Sequence, residues 1–174
     1  MATTASGVYR LYLLRHARAG WAAPGKTDFD RTLDDEGYAE AEVIAAEMAD
    51  QGYHPQLVIS STAIRCKETA EPLRRVFGEE LPIQYVDTLY GGTIDSYAEV
   101  AFAERQETAV LIIGHNPIVE EFFRILVGQP IADATAPNGF PTAALATIDF
   151  DRRPSDRDYM GGRLSCFMTP RSGR

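Results

Sequence analysis

Apolar positions along this chain follow two rhythms, and their alternation predicts the fold. Apolar runs at 8–14, 57–59 and 108–113 are too short for buried helices and read as buried strands, the first covered on both faces, and 81–86 reads as a further strand. Between them the spacing changes to threes and fours. Over 36–51, Ala41, Ile44, Ala45 and Met48 share one helical face. Thr32-Leu33-Asp34-Asp35 supplies a capping box with an acidic first turn, and Gly52 stops the helix. Ala63, Cys66, Ala70, Leu73 and Phe77 repeat in the same way over 62–77, behind Ser60-Ser61 as N-caps. A further helix is expected over 94–106. Asn116 as N-cap with Pro117 at N1 opens another that is apolar on most faces and closes at Gly128.

The remaining stretches are read from their turn residues. Residues 1–8 read as a tail, 20–30 as a surface loop around Pro24-Gly25, and 129–142 as a loop rich in Pro, Ala and Gly. Residues 143–150 and 162–168 predict a hairpin-paired couple of strands. Strands alternating with helices predict an α/β domain, a three-layer α/β/α sandwich about a mostly parallel sheet of about six strands. The first strand is expected to be central and the last pair to add an antiparallel edge. No repeat or linker divides the chain, so 1–174 reads as one domain with its core over about 8–168.

Composition narrows what such a domain can do. At 174 residues, with 45% apolar and 24% charged positions, the chain can bury a substantial core. A formal charge of −8 speaks against nucleic acid as a partner, so any anion must be held by a local arginine cluster. No apolar run approaches the roughly 18 residues of a membrane span. Met1 to Gly7 lacks the charged-then-apolar pattern of a signal peptide, so no membrane partner is expected. Cys66 and Cys166 are the only cysteines and make neither a CxxC nor a metal-ligand spacing. The expected setting is cytoplasmic, with reduced thiols, no metal and no cofactor.

Against that background, three predicted strands each end in residue types that bind or attack phosphate: Arg15-His16, then Ser61 with Arg65, then His115-Asn116. Carboxyl ends of parallel strands lie close together, and there ligands bind in open α/β sheets. An imidazole must be neutral to attack phosphorus, and neighbouring guanidiniums depress its pKa. The same guanidiniums are forked donors matched to phosphate oxygens. A second imidazole, as a cation, would donate to oxygens that gain charge in the transition state. The helix N-terminus after His115 adds backbone donors. This set suffices for metal-independent phosphoryl transfer through a covalent phosphohistidine. Singly, each residue has an ordinary reading: a solvated Arg-His pair, a capping histidine, a surface arginine. Their joint placement at strand ends is what points to a site. His54, in a turn at the opposite end of the sheet, reads as structural, and Cys66 and Cys166 read as core. Arg18 and Trp21 are either pocket rim or exposed loop.

Leu14-Arg15-His16-Ala17, the segment from Ser60 to Thr69 with Arg65, and Gly114-His115-Asn116-Pro117 together resemble the histidine phosphatase (phosphoglycerate mutase-like) superfamily. The likeness runs over about 8–168. The short length, Asp30-Arg31-Thr32-Leu33 and the Gly37 region look most like the SixA-like phosphohistidine phosphatases. The resemblance implies His16 as nucleophile, with Arg15, Arg65 and His115 on the phosphoryl group. Arg31, Ser61, Asn116 and Tyr90 are expected as further substrate contacts. Ala17 stands where many members have Gly. Leu89-Tyr90-Gly91-Gly92 stands where longer members carry a Glu general acid. An alkoxide leaving group needs a positioned acid, worth about 10²–10⁴ in rate, whereas the nitrogen of a phosphohistidine can be protonated by solvent. The missing Glu therefore favours a P–N bond or a very good leaving group, with Asp28, Asp30, Asp95 and Tyr90 as open candidates for a proton donor. The expected substrate is a phosphoprotein or a small phosphorylated compound. A phosphate-binding module without turnover, and a mutase, are the competing readings. The short acidic chain offers a mutase little room or charge for a bisphosphate.

Overall fold

Four of the expected strands become adjacent parallel strands whose carboxyl ends share one edge of the sheet. The structure, a computed structural model, describes residues 8–170; residues 1–7 of the expected tail lie outside that range. In chain order the elements are β1 (Tyr9–Arg15), α1 (Asp35–Asp50), β2 (Leu57–Ser61), α2 (Ile64–Phe77), β3 (Ile83–Val86), α3 (Ile94–Phe102), β4 (Ala109–Gly114), α4 (Ile118–Val127), α5 (Gln129–Thr135), β5 (Leu145–Phe150) and β6 (Arg163–Met168). The six strands run β3-β2-β4-β1-β5-β6. β1 pairs in parallel with β4 and antiparallel with β5, and β5 pairs antiparallel with β6. The expected inner position of β1 and the antiparallel final pair are both found. Arg15 lies opposite Gly114 and Ser60 opposite Ile113, which aligns the ends of β1, β2 and β4.

Alternation along the strands divides the core into two layers. Leu11, Leu13, Ile59, Val110 and Ile112 face α3 and α4 through Ala98, Phe122 and Leu126. Tyr12, Leu14, Val58, Leu111 and Ile113 face α1 and α2 through Ile44, Met48, Cys66 and Leu73. Every residue of β2 and β4 is buried, the polar Ser60 and Ser61 included. No helix among the described residues is long and apolar enough to cross a membrane.

Several boundaries differ from expectation. α2 starts at Ile64 with Ala63 at the cap, because Ser60 and Ser61 are spent as the last residues of β2. α3 stops at Phe102 rather than 106, where Arg105 donates to the carbonyls of Ala101 and Val100 and so satisfies the last turn. Asn116 does not cap α4: Pro117 holds that position, and the Asn116 amide donates instead to Phe140 O at 3.2 Å. The expected loop 129–142 begins as α5, entered through Gly128 at φ 90 with Pro130 in its first turn. Only Ala132 of this short helix is buried, which leaves no helical repeat to read.

Candidate active site

His16 follows directly on β1, and its peptide N–H continues the ladder to Gly114 O at 3.1 Å. Its Nδ1 lies 2.7 Å from Ala17 O. A carbonyl only accepts, so Nδ1 carries the hydrogen and Nε2 keeps a free lone pair. The turn beyond is tied to α2: Ala17 N donates to Thr69 Oγ1 at 3.0 Å, and that hydroxyl donates to Arg65 O at 2.7 Å. Ala17 is fully buried among Leu33, Ala41 and Ala143, so a small residue is what this position requires.

His115 stands at the end of β4, its ring centroid 5.2 Å from that of His16. Arg65 Nη2 approaches its Nδ1 at 3.2 Å. A guanidinium only donates, so Nδ1 accepts and Nε2–H donates to Ser61 Oγ at 2.8 Å. The Tyr97 hydroxyl accepts from His115 N at 3.0 Å and donates to Leu89 O at 2.9 Å. A Cβ on Gly114 would come within 2.3 Å of that hydroxyl, so glycine here admits the tyrosine that braces His115.

Arg15 and Arg65 enter from two sides. Arg15 Nη1 donates to Phe140 O at 2.8 Å. Arg65, only 5% exposed, donates to Asp28 O at 2.7 Å and to Asp28 Oδ2 at 3.0 Å. The Nε of each guanidinium is buried with no hydrogen-bond partner among the described residues. Buried donors normally find acceptors, and both of these belong to residues lining one cleft of about 670 Å³. Four arginines (15, 18, 31 and 65) line it against a single carboxylate, Asp28. The lining suits a small, strongly charged anion.

Burial is the main cause of the histidines' acidity. It pushes the His16 pKa down to about 3; the Ala17 carbonyl resists this, while His115, Arg65 and Arg15 add to it. Burial and then Arg65 bring His115 to about 4, against a smaller opposing pull from Asp28. The cationic His115 expected from sequence is therefore not the state of the free site: the burial that keeps His16 neutral, with Arg65 and Arg15 adding to it, acts on both rings. Unfolded histidine titrates near 6.5, so below that value the unfolded chain binds protons that the folded chain refuses, and stability falls as pH falls. The window runs from about 6.5 down to about 3 for His16 and about 4 for His115. Within it each ring costs about 1.4 kcal/mol per pH unit. Urea midpoints should drop steadily from pH 7 to pH 5, and replacing either histidine should flatten that slope.

The remaining sequence-derived residues divide. Arg31, Asn116 and Tyr90 line the cleft with Arg15, His16, Arg65 and His115. Arg31 is anchored through Nε to Gly20 O at 2.8 Å and through Nη1 to Asp28 Oδ1 at 3.1 Å. Ser61, expected as a substrate contact, is fully buried outside the lining and meets His115 instead. Among the candidate proton donors, Asp30 binds back to Thr27 and Asp95 lies away from the cleft, in the first turn of α3. Asp28 is in the cleft but ionised. Burial opposes its charge, yet contacts from Arg31, Tyr90 and Arg65 outweigh that and hold the carboxyl at about 2. Arg18 lines the cleft, with Asp34 at 2.8 Å, whereas Trp21 is 97% exposed. His54 packs edge-on against Phe77. Cys66 is buried as expected, but its Sγ also lies 3.4 Å from His115 Nε2, and burial pushes the thiol up to about 12. Thr69 closes the segment from Ser60 to Thr69 but has no role assigned from sequence, whereas Tyr97 and the Phe140 carbonyl are site-building groups with no sequence signal, an aromatic on a helix face and a backbone oxygen.

The family described as histidine phosphatase superfamily (branch 1) matches residues 11–91. A crystal structure from Agrobacterium tumefaciens, of a protein provisionally designated the phosphohistidine phosphatase SixA, is 40% identical with a TM-score of 0.84, covering 93% of this chain and 98% of that one. A protein from Nakamurella multipartitia with the same provisional designation is 27% identical with a TM-score of 0.77, covering 96% and 99%. An uncharacterized chloroplast protein of Arabidopsis thaliana is 30% identical over 132 residues, 70% of this chain, and the chain spans 61% of its length.

Proposed function

The chain belongs to the histidine phosphatase superfamily, and from that premise we propose that it is a metal-independent phosphatase acting through phospho-His16, with phosphohistidine on a protein as its substrate class. The observation that carries this reading is the fixed tautomer of His16. With Nδ1–H committed to Ala17 O, the lone pair of Nε2 is available in an arginine-lined cleft. Arg15 and Arg65 bind the phosphoryl oxygens, and Asn116 and His115 close the remaining side. Nε2 attacks phosphorus, the bond to the leaving group breaks with its electron pair, and the proton on Nδ1 stays in place. Water then attacks phospho-His16, releasing inorganic phosphate and restoring the neutral ring.

The choice of a P–N substrate is supported by the proton inventory. Asp28, the one carboxylate of the lining, is ionised at neutral pH. Burial and then Asp28 raise the Tyr90 phenol above its usual 10. Neither is a ready acid for an alkoxide, whereas a nitrogen leaving group brings its own proton. A cytoplasmic, reducing setting accords with Cys66 and Cys166, both unpaired.

Rapid acid-free quenching of a reaction with ³²P-labelled phosphohistidine protein is the test. Transient label on His16, stable to base and lost in acid, is expected, followed by inorganic phosphate at a rate insensitive to EDTA. Binding of phosphoprotein with neither label nor release would overturn the reading in favour of a binding module.

A further inference from the structure

We propose that Asp28 selects the leaving group: its carboxylate receives the N–H of a protonated imidazole departing from phosphorus and disfavours one that departs as an oxyanion. The proposal rests on the phosphatase reading above and adds a specificity determinant to that site.

Asp28 sits in the 3-10 turn Asp28–Asp30, and three donors from separate segments fix its carboxylate. Arg65 Nη2 and the Tyr90 hydroxyl donate to Oδ2 at 3.0 and 2.9 Å, and Arg31 Nη1 donates to Oδ1 at 3.1 Å. A carboxylate offers about four lone-pair positions, so Oδ1 keeps one open, and the side chain is 52% exposed at the cleft. Arg65 Nη2 also reaches His115 Nδ1, which places this negative charge one guanidinium away from the phosphoryl-binding imidazoles. So placed and so held, Asp28 does not deliver a proton. It accepts a hydrogen bond.

That is what a phosphohistidine leaving group calls for. Protonated on the ring nitrogen that does not bear phosphorus, the imidazole departs neutral: His16 Nε2 bonds to phosphorus, the P–N electron pair returns to the leaving ring, and the ring keeps its N–H. Asp28 favours the protonated ring before cleavage by a charge-assisted hydrogen bond. Beside a phosphomonoester the same charge repels the growing alkoxide and offers no proton.

Asp28→Asn keeps the size and the acceptor for Tyr90 while removing the charge. Its kcat/KM toward a phosphohistidine peptide should fall roughly 10- to 100-fold further than that toward p-nitrophenyl phosphate, so that the ratio of the two moves by that factor. Parallel losses on both substrates would mean that Asp28 only positions Arg65, and would overturn the inference, as would no change on either. Should the variant fail to fold, the wild-type protein decides through an N-phosphorylated imidazole and its N-methyl counterpart, which lacks the N–H. Relative to the uncatalysed rates, the methylated substrate should lose acceleration by a similar factor; equal acceleration refutes the proposal. A wild-type protein inactive on all these substrates would instead strike at the phosphatase reading itself.

Discussion

His16→Ala is expected to lower turnover by about 10⁴–10⁶, the scale on which losing a covalent nucleophile acts, with the fold intact and no phosphoenzyme trapped. Nothing nearby can replace it. His115 has its Nδ1 lone pair facing Arg65 and its Nε2–H on Ser61, so neither nitrogen is free to attack. The Cys66 thiol is fully buried and held protonated by that burial. The structural cost is Ala17 O, a buried acceptor that loses its donor at about 1–3 kcal/mol, together with the space left by a nearly buried ring. The same substitution deletes a ring that resists protonation, so the urea midpoint should be lower at pH 7 yet lose less on going to pH 5 than that of the unmutated chain. Phosphate release and denaturation curves on one preparation read both effects. A variant keeping a tenth of the original rate would mean that phosphorus is attacked by something other than His16.

The parts of this site legible in sequence are those decided by burial. β1, β2 and β4 carry apolar runs because helices cover both faces, so the ends of those runs can be located to within a residue or two, and with them Arg15-His16, Arg65 and His115. What sequence does not show is set by contacts between distant segments. Arg105 ends α3 by reaching its carbonyls, and Phe140 O receives both Arg15 and Asn116, neither of which any local pattern announces. Ser61 has the same composition signal whether it faces a ligand or a histidine, and burial decides for the histidine. Asp28 resembles any loop carboxylate until Tyr90, 62 residues away, and Arg65 are seen to hold it. The cationic His115 expected from sequence fails for a related reason: burial, which no strand-end pattern measures, is the main force on both imidazoles, and Arg65 and Arg15 only add to it on each.

Arg65→Lys should cost about 10²–10³ in kcat/KM, comparable with loss of an oxyanion donor, although charge and approximate length survive. The guanidinium performs separate tasks in one plane. It holds Asp28 through its backbone oxygen and its carboxylate, fixes the tautomer of His115, and keeps Nε in reserve as a buried donor. An ammonium is a point charge with no fork, so it can keep one or two of these contacts but not the set. Without a donor on Nδ1 the tautomer of His115 is no longer fixed, because the Ser61 hydroxyl can donate to a bare Nε2 as readily as it accepts from Nε2–H. Substituting Ala instead would also remove the charge. Arg65 is the second cause of the low His115 pKa after burial, so in Arg65→Ala that pKa should climb from about 4 toward 6.5. Lysine should leave it nearly unmoved. Titration of the His115 ring by NMR in the two variants separates loss of geometry from loss of charge. Equal activity in the Lys variant and the unmutated protein would show that a positive charge alone is enough at this position, and that the forked contacts are incidental.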